Sequence, residues 1–318
     1  MKKVLSILCL AAVLLAGCAG QKKDETDKVA TEKVLCLTEI VSTYGDTEFS
    51  YQVTYETDGV HVTPKELKDA YVFVYHADGS DHYALRYNEE GVNTYREDYT
   101  YNSKGQLTER IDVDLEDNST VSRTVHSYNE QGQLIKTVYE DRAGISSYDE
   151  YTYDANGFLT EECGYNRDGV LDERYAYVTD SEGKPMRATG FRLMTGDTLR
   201  EWGGYTYHYD SAGRLTGKVW ELSTQYPMSL FSYYYTYDEN GNVTKWEQVS
   251  RRTEEDHIES TYTYSYNEDG YLVSSTDEDG NTSTCVYTEI ELPKALAETA
   301  RQWSKDGVKN AYVQHPEE

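Results

Sequence analysis

One seven-residue phrase recurs along this chain and constrains its fold more than any other feature. It reads Tyr101-Asn102-Ser103-Lys104-Gly105-Gln106-Leu107, Tyr128-Asn129-Glu130-Gln131-Gly132-Gln133-Leu134 and Tyr153-Asp154-Ala155-Asn156-Gly157-Phe158-Leu159. Three more copies, Tyr209–Leu215, Tyr237–Val243 and Tyr266–Leu272, centre on Gly213, Gly241 and Gly270. Degenerate copies surround Gly59, Gly79, Gly91, Gly169 and Gly183, and from Gly105 onward the main glycines, with Gly183 counted among them, stand 25 to 30 residues apart. Repetition at such a period means stacked supersecondary units.

Each copy reads as a hairpin loop. Asp or Asn opens a type I turn by accepting backbone N–H groups, two tolerant positions follow, and glycine takes the left-handed conformation. The tyrosine four before the glycine then pairs with the leucine or valine two after it. Six before the glycine, on the same face, stand Tyr99, His126, Tyr151, Tyr207, Tyr235 and Tyr264. Five before, on the other face, stand Thr100, Ser127, Thr152, His208, Thr236 and Ser265. Simple alternation returns Ile111, Val138, Cys163 and Val219, six after, to the apolar face, with Glu247 and Thr276 as exceptions. Period two on both arms means strands with one buried and one wet face. Further turns near Gly144, Gly169 and Gly280 let each unit return as another hairpin.

The expected architecture is all-β. Tandem β-hairpin repeats over residues 34–292 form an extended or spiralling antiparallel sheet, and residues 293–318 supply a short C-terminal helix and tail. Pro293 starts that helix, which runs to about Lys305 with Leu296, Ala300 and Trp303 on one face, placed to cover the last strand edge. Residues 186–204, with Met186, Met194 and Trp202, read as an irregular insertion. Tyrosine is the compositional outlier, 32 residues against five phenylalanines. Aromatic residues favour strands, and a phenol suits shallow burial because its hydroxyl can reach water.

The N-terminus defines the compartment. Lys2 and Lys3 precede an apolar run from Val4 to Leu15, right for a signal-peptide core over residues 1–17 and short for a membrane span. It ends in Leu15-Ala16-Gly17-Cys18, which resembles the lipobox of bacterial lipoproteins. That resemblance implies a diacylated Cys18 as the new N-terminus, a polar tether over residues 18–33, and an extracytoplasmic chain on the outer face of the cell membrane or on an outer membrane. Cys36, Cys163 and Cys285 remain, an odd and widely spaced set that argues against a disulfide framework without excluding one bridge. Without Lys2 and Lys3, 28 basic residues face 57 acidic ones, a net of −29. Such a charge disfavours nucleic acid and anionic lipid as partners.

The recurrent phrase is similar to the tyrosine–aspartate (YD) repeats of the rearrangement-hotspot (RHS) family, whose signature is a YD-x-x-G-x-L core at this spacing. The resemblance covers about residues 50 to 285 and implies the hairpin-repeat build. Large family members wrap their spiralling sheet around a toxin domain and carry a self-cleaving segment. Neither is recognisable here, so only the build is implied.

No catalytic constellation emerges: there is no nucleophile elbow, no His-Glu-x-x-His helix, no phosphate loop and no cofactor fingerprint. His76, Asp78, Asp81 and His82 cluster around one turn, but aspartate is expected there for structural reasons, so no metal site is expected. Asp112, Asp114, Glu116 and Asp117 lack the glycine and closing glutamate of a calcium loop, and Asp277-Glu278-Asp279-Gly280 fails similarly. Cys163 reads as buried packing and His126 as a variant of the aromatic row. Candidate ligand contacts are Trp202, Trp220, Trp246, Tyr151, Tyr207, Tyr235 and Tyr264, since such rings stack on sugars or build protein contact surfaces. Packing alone would produce the same row. The expected function is a non-catalytic, surface-anchored binding or scaffold module for a cell-surface glycan, cell wall or protein. The alternatives are a carboxylate-dependent hydrolase of a cell-surface polymer and a degenerate RHS-type toxin-delivery component.

Overall fold

The computed structural model describes residues 30–194, 198–223, 231–250 and 257–314. Within them each glycine of the six main copies sits at a reversal of chain direction. At Gly157 the Asp154 carboxylate accepts the N–H groups of Asn156 (2.8 Å) and Phe158 (2.9 Å), and the Gly157 N–H returns to the Asp154 carbonyl at 3.0 Å. Gly157 has φ +87°, and Gly105, Gly132, Gly213, Gly241 and Gly270 are likewise left-handed. A Cβ disfavours that region, which is why glycine stands there.

Twenty strands result. The first ten are β1 (Thr31–Tyr44), β2 (Thr47–Glu56), β3 (Gly59–Pro64), β4 (Ala70–Tyr75), β5 (Asp81–Tyr87), β6 (Asn93–Tyr101), β7 (Leu107–Asp114), β8 (Ser119–Tyr128), β9 (Leu134–Asp141) and β10 (Gly144–Tyr153). The rest are β11 (Leu159–Asn166), β12 (Leu171–Thr179), β13 (Pro185–Met194), β14 (Thr198–Tyr209), β15 (Leu215–Leu222), β16 (Phe231–Tyr237), β17 (Val243–Ser250), β18 (His257–Tyr266), β19 (Leu272–Asp277) and β20 (Thr282–Pro293). Each pairs antiparallel with its successor in sequence, and β20 pairs with β1 from Thr31↔Pro293 to Ser42↔Ser283. The sheet therefore closes into a 20-stranded up-and-down barrel. This corrects the expected extended or spiralling sheet. The long, non-repeat β1 meets the last strand, and pairing removes both open edges. The described residues of 186–204 are likewise no irregular insertion, because 186–194 fall in β13 and 198–204 in β14, which pair from Arg187↔Thr206 to Met194↔Thr198; 195–197 lie outside the described residues.

A bulge follows each main turn and changes which residues share a face. Tyr153 pairs with Leu159, but Thr152 pairs with Glu161, so Thr160 is the extra residue, and its hydroxyl donates to the Thr152 carbonyl at 3.0 Å. Thr108, Thr216 and Thr244 make the same bond in their own hairpins. One extra residue inverts the alternation beyond it. Position five after the glycine consequently joins the tyrosine face: Tyr99 opposes Arg110, His126 opposes Thr137, Tyr151 opposes Glu162, Tyr207 opposes Lys218, Tyr235 opposes Trp246 and Tyr264 opposes Ser275. Ile111, Val138, Cys163 and Val219 lie on the other face, contrary to the expectation from simple alternation.

The motif tyrosines join one hairpin to the one before it. Tyr101, Tyr128, Tyr153, Tyr209, Tyr237 and Tyr266 donate their hydroxyls to the carbonyls of Asp81, Leu107, Leu134, Pro185, Leu215 and Val243 at 2.7–2.8 Å. Each acceptor is the first residue of the strand beside the tyrosine's own. Between β9 and β10 the backbone register ends at Lys136↔Glu150, and the Tyr153 hydroxyl reaches the Leu134 carbonyl beyond that end. Phenylalanine would fill the same space without the bond.

The C-terminal segment runs as α1 (Lys294–Gln302), a π-helical turn (Trp303–Gly307) and α2 (Val308–Tyr312). Ala297, Ala300, Trp303 and Val308 are buried on its apolar face, while Leu296 is only half-buried. Trp303 is fully buried, its ring centroid 6.4 Å from Tyr55 and 6.1 Å from Tyr75. The buried Ser304 hydroxyl accepts the Leu37 N–H at 2.9 Å, where a register shift interrupts the β1–β20 ladder. Gly307 abuts the β4–β5 turn so closely that a Cβ on Gly79 would stand 2.2 Å from the Gly307 carbonyl oxygen. The same segment reaches round to β18, where Tyr264 accepts the Gln314 N–H at 3.0 Å. A short helix can touch β2, β4 and β18 together only from the concave side. It is an internal plug and does not cover a strand edge.

The outer face is ionic. Lys136 pairs with Glu150 at 2.9 Å, Arg123 with Glu140 at 3.1 Å, Arg96 with Asp98 at 2.6 Å, Lys245 with Glu247 at 2.8 Å, and Arg174 with Glu161. A membrane-spanning barrel instead presents a continuous apolar band. Nor is any helix among the described residues long and apolar enough to cross a membrane.

The hydroxyl bonds between hairpins give a direct test. Tyr153→Phe and Tyr237→Phe should each lower unfolding free energy by about 1 kcal/mol, measured by urea titration. Tyr44→Phe, at an exposed ring, should change it by less than about 0.5 kcal/mol. Equal, negligible effects at all three positions would remove the structural role assigned to the phenols.

Candidate functional site

The inner face divides into two sectors. Around β16–β19 and β1–β4 the plug covers it, and Tyr235, Trp246, Tyr264, Leu272, Tyr55 and Tyr75 join one buried cluster with Trp303 and Val308. Around β6–β12 the inward side chains are mostly half-buried, among them Tyr99, Tyr151, Tyr175 and Tyr177, as is Tyr207 on β14. Twenty strands enclose more space than wall side chains fill; barrels of this class hold an aqueous channel or a plug. The half-buried sector is the wall of that remaining space.

Its most distinctive patch centres on Gly164. This glycine lies between Asp149 on β10 and Glu173 on β12, pairing with both. A Cβ built on it would stand 3.2 Å from Asp149 Oδ1, tighter than ordinary contact, and 3.8 Å from Glu173 Cβ, so glycine lets the Asp149 carboxylate lie close over the β11 backbone. Glu162 stands beside them on β11. Tyr139 donates to Asp149 at 3.0 Å, Tyr177 to Glu162 at 2.9 Å and Tyr175 to Glu173 at 3.4 Å. Burial raises the pKa of all three carboxyls above the ordinary range. Mutual repulsion raises Glu162 and Glu173 further, whereas Lys218 draws Glu162 back down. Asp81 is also raised, by burial and then by Glu97, beside an opening of about 420 Å³ where the β4–β5 turn meets α2. Hydroxyl donors, shielded carboxylates and ring faces together suit a neutral, hydroxyl-rich or cationic ligand.

The sequence-derived candidates are distributed unevenly. Tyr151 and Tyr207 are half-buried on the lumen wall. Tyr235, Tyr264 and Trp246 are buried beneath the plug, and Trp202 and Trp220 are buried against each other with centroids 5.0 Å apart. The Trp202 Nε1–H is buried with no hydrogen-bond acceptor. Glu162 and Glu173 were missed because a bulge conceals their facing, whereas Asp149 shares the face of Tyr151 by simple alternation and was missed because a lone inward carboxylate gives no signal. Threonine in the bulge of the copies at Gly105, Gly157, Gly213 and Gly241 was the available signal.

Other clusters come apart. His76 and His82 stack at 4.6 Å, Asp78 caps Ser80, and Asp81 lies inside beneath Tyr101. Asp112 turns inward to Ser122 and Arg110, whereas Asp114 and Asp117 cap a surface turn. Cys36, Cys163 and Cys285 are free thiols. Burial pushes Cys36 up to about 11 and Cys285 up to about 12, which makes both poor nucleophiles. Cys18 lies outside the described residues.

No family model matches the chain, and no curated protein matches it. Among solved structures it is similar to the TcdB2-TccC3-Cdc42 crystal structure, with 10% identity and a TM-score of 0.30. That match covers 78% of this chain, which spans only 15% of the other's length. It is also similar to a porin-like protein from Bacteroides uniformis, with 14% identity and a TM-score of 0.33, over 79% of this chain and 96% of that one.

The inward acids predict a pH dependence. A carboxyl with a raised folded pKa contributes stability that is fully present below its unfolded pKa and is lost as pH rises through the folded value. The turn aspartates Asp154, Asp180 and Asp210, lowered by backbone N–H donors, act oppositely, losing their contribution as pH falls. Glu162→Gln isolates the inward term. The variant should gain stability relative to the parent as pH rises from 4.5, the ordinary glutamate value, towards neutrality. Parallel stability curves would show that Glu162 is not held in a desolvating site.

Proposed function

We propose that this protein is a bacterial lipoprotein with YD/RHS-like repeats, held extracytoplasmically by lipid on Cys18, and that it acts as a non-catalytic binding module. Its ligand surface is the uncovered lumen wall, and its ligand is a cell-surface glycan or cell-wall strand. The half-buried tyrosine and carboxylate sector around Gly164 carries this reading. Regularly spaced phenols offer ring faces to pyranose surfaces, and the carboxylates beside them accept from sugar hydroxyls. The ionic outer face supports an attachment separate from the barrel, since lipid chains can anchor a wall that could not enter a bilayer. Protein contact is the competing form of the same module.

The three inward carboxylates with raised pKa favour one second reading, a carboxylate-dependent hydrolase of a cell-surface polymer, because burial that favours the protonated form of a carboxyl is how a general acid is made. Polymer cleavage abolished by Glu162→Gln would replace the binding reading.

Two outcomes are expected. Cys18→Ser should move the chain from the membrane fraction to the soluble one, and retention at the membrane would remove the lipid anchor. On a glycan array the detergent-solubilised chain should bind, with Tyr151→Ala and Tyr177→Ala each weakening binding by about tenfold while circular dichroism stays unchanged. An empty array together with a co-purifying protein would discard the glycan ligand.

A further inference from the structure

The β2–β3 turn, on the outer rim and away from the lumen, brings together three side chains that the repeat does not require. One ligand atom from each of Glu56, Asp58 and His61 lies within 4.8 Å of the other two. His61 Nε2 and Asp58 Oδ1 are 2.9 Å apart. Adjacent ligands of a six-coordinate ion with bonds of about 2.1 Å stand about 3.0 Å apart. This pair can therefore take one ion with almost no movement, the ion replacing their shared proton while His61 keeps its own on Nδ1. Glu56 is exposed and its side chain can swing to complete the set.

Two of the three donors are oriented by β5, a strand outside the turn. Tyr83 donates its hydroxyl to Asp58 Oδ2 at 3.1 Å, which leaves Oδ1 directed at His61. The Tyr83 ring meets the His61 ring edge-on, with centroids 6.2 Å apart, and His82 Nδ1 bonds the Asp58 carbonyl at 2.8 Å. Such outer partners fix the orientation of metal ligands. Arg96, which lies over the Tyr83 ring, is neutralised by Asp98 and does not oppose a cation here.

We propose that Glu56, Asp58 and His61 bind one divalent transition-metal ion of the zinc class, with water in the remaining positions and Tyr83 as a positioning residue. One imidazole with two carboxylates suits such an ion, whereas calcium and magnesium prefer a shell made wholly of oxygen. The net charge of −27 favours accumulation of cations at the surface.

The test is calorimetric titration of the full-length chain with zinc chloride at neutral pH. One zinc per chain is expected. His61→Ala should weaken binding by about 100-fold and Tyr83→Phe by about tenfold, while His208→Ala leaves it unchanged. Glu56→Gln, at an exposed position that caps nothing, keeps the test valid if changes at His61 disturb the turn. It should weaken binding with an unaltered circular dichroism spectrum. Absence of zinc uptake, uptake unaffected by both His61→Ala and Glu56→Gln, or displacement by equimolar calcium would each overturn the proposal.

Discussion

The barrel depends on a phenol hydroxyl reaching past the end of a backbone ladder. A hairpin is marginal alone, so a chain of hairpins becomes one wall only if each is registered on its predecessor. Between successive hairpins the backbone register stops before the main turn: it ends at Lys136↔Glu150 between β9 and β10, and among the described residues β15 and β16 are joined at Gly217↔Tyr234 and Lys218↔Tyr233. There the Tyr237 hydroxyl adds a bond to the Leu215 carbonyl at 2.7 Å. A one-residue slip would invert every side chain of a strand, and a directional bond to one named carbonyl opposes that slip. This explains why tyrosine and not phenylalanine opens each of the six main copies, where ring burial alone either residue could supply.

The turns were legible because their causes are local. Asp154, Gly157 and the tolerant pair between them act within five residues, and the structure keeps their reading in every main copy. The hydroxyl acceptors were not legible, because Leu134 and Leu215 lie about twenty residues upstream and contribute a backbone atom that any residue would offer. The facing of the second arm failed for a local reason that resembled ordinary strand: Thr160 has high β propensity, and nothing in its identity alone says that it is the unpaired residue of a bulge. Closure was illegible for the opposite reason. It rests on β1, which carries no copy of the phrase and whose partner lies some 250 residues away. Once closure is missed, an amphipathic C-terminal helix is naturally assigned to an edge, although Trp303 and Ala300 were rightly placed on its buried side.

The bulge also explains how one repeat yields two interiors. Position five after the glycine faces inward in every main copy, yet it holds Trp246 and Ser275 where the plug covers the wall and Arg110, Thr137, Glu162 and Lys218 elsewhere. The position tolerates either chemistry because the turn, the bulge threonine and the tyrosine bond determine the backbone without it. Composition at that position is therefore free to vary. Trp246 joins the buried cluster with Trp303 beneath the plug, and Arg110, Glu162 and Lys218 place ionisable groups on the rest of the wall.

That division bears on whether the inward acids are incidental. Holding Asp149, Glu162 and Glu173 close together disfavours their ionised forms, and an apolar wall would avoid the penalty, as Trp246 demonstrates in the same register. Gly164 makes this sharper, because a Cβ there would press on the Asp149 carboxylate at 3.2 Å. Tyr139, Tyr175 and Tyr177 supply one hydroxyl to each carboxylate, so the cluster is supported by its own donors while retaining acceptor capacity. Unfavourable electrostatics, a missing side chain and pre-aimed donors coincide within one patch of an otherwise repetitive wall. Folding alone does not require that coincidence, whereas the proposed recognition of a hydroxyl-rich ligand would use all three.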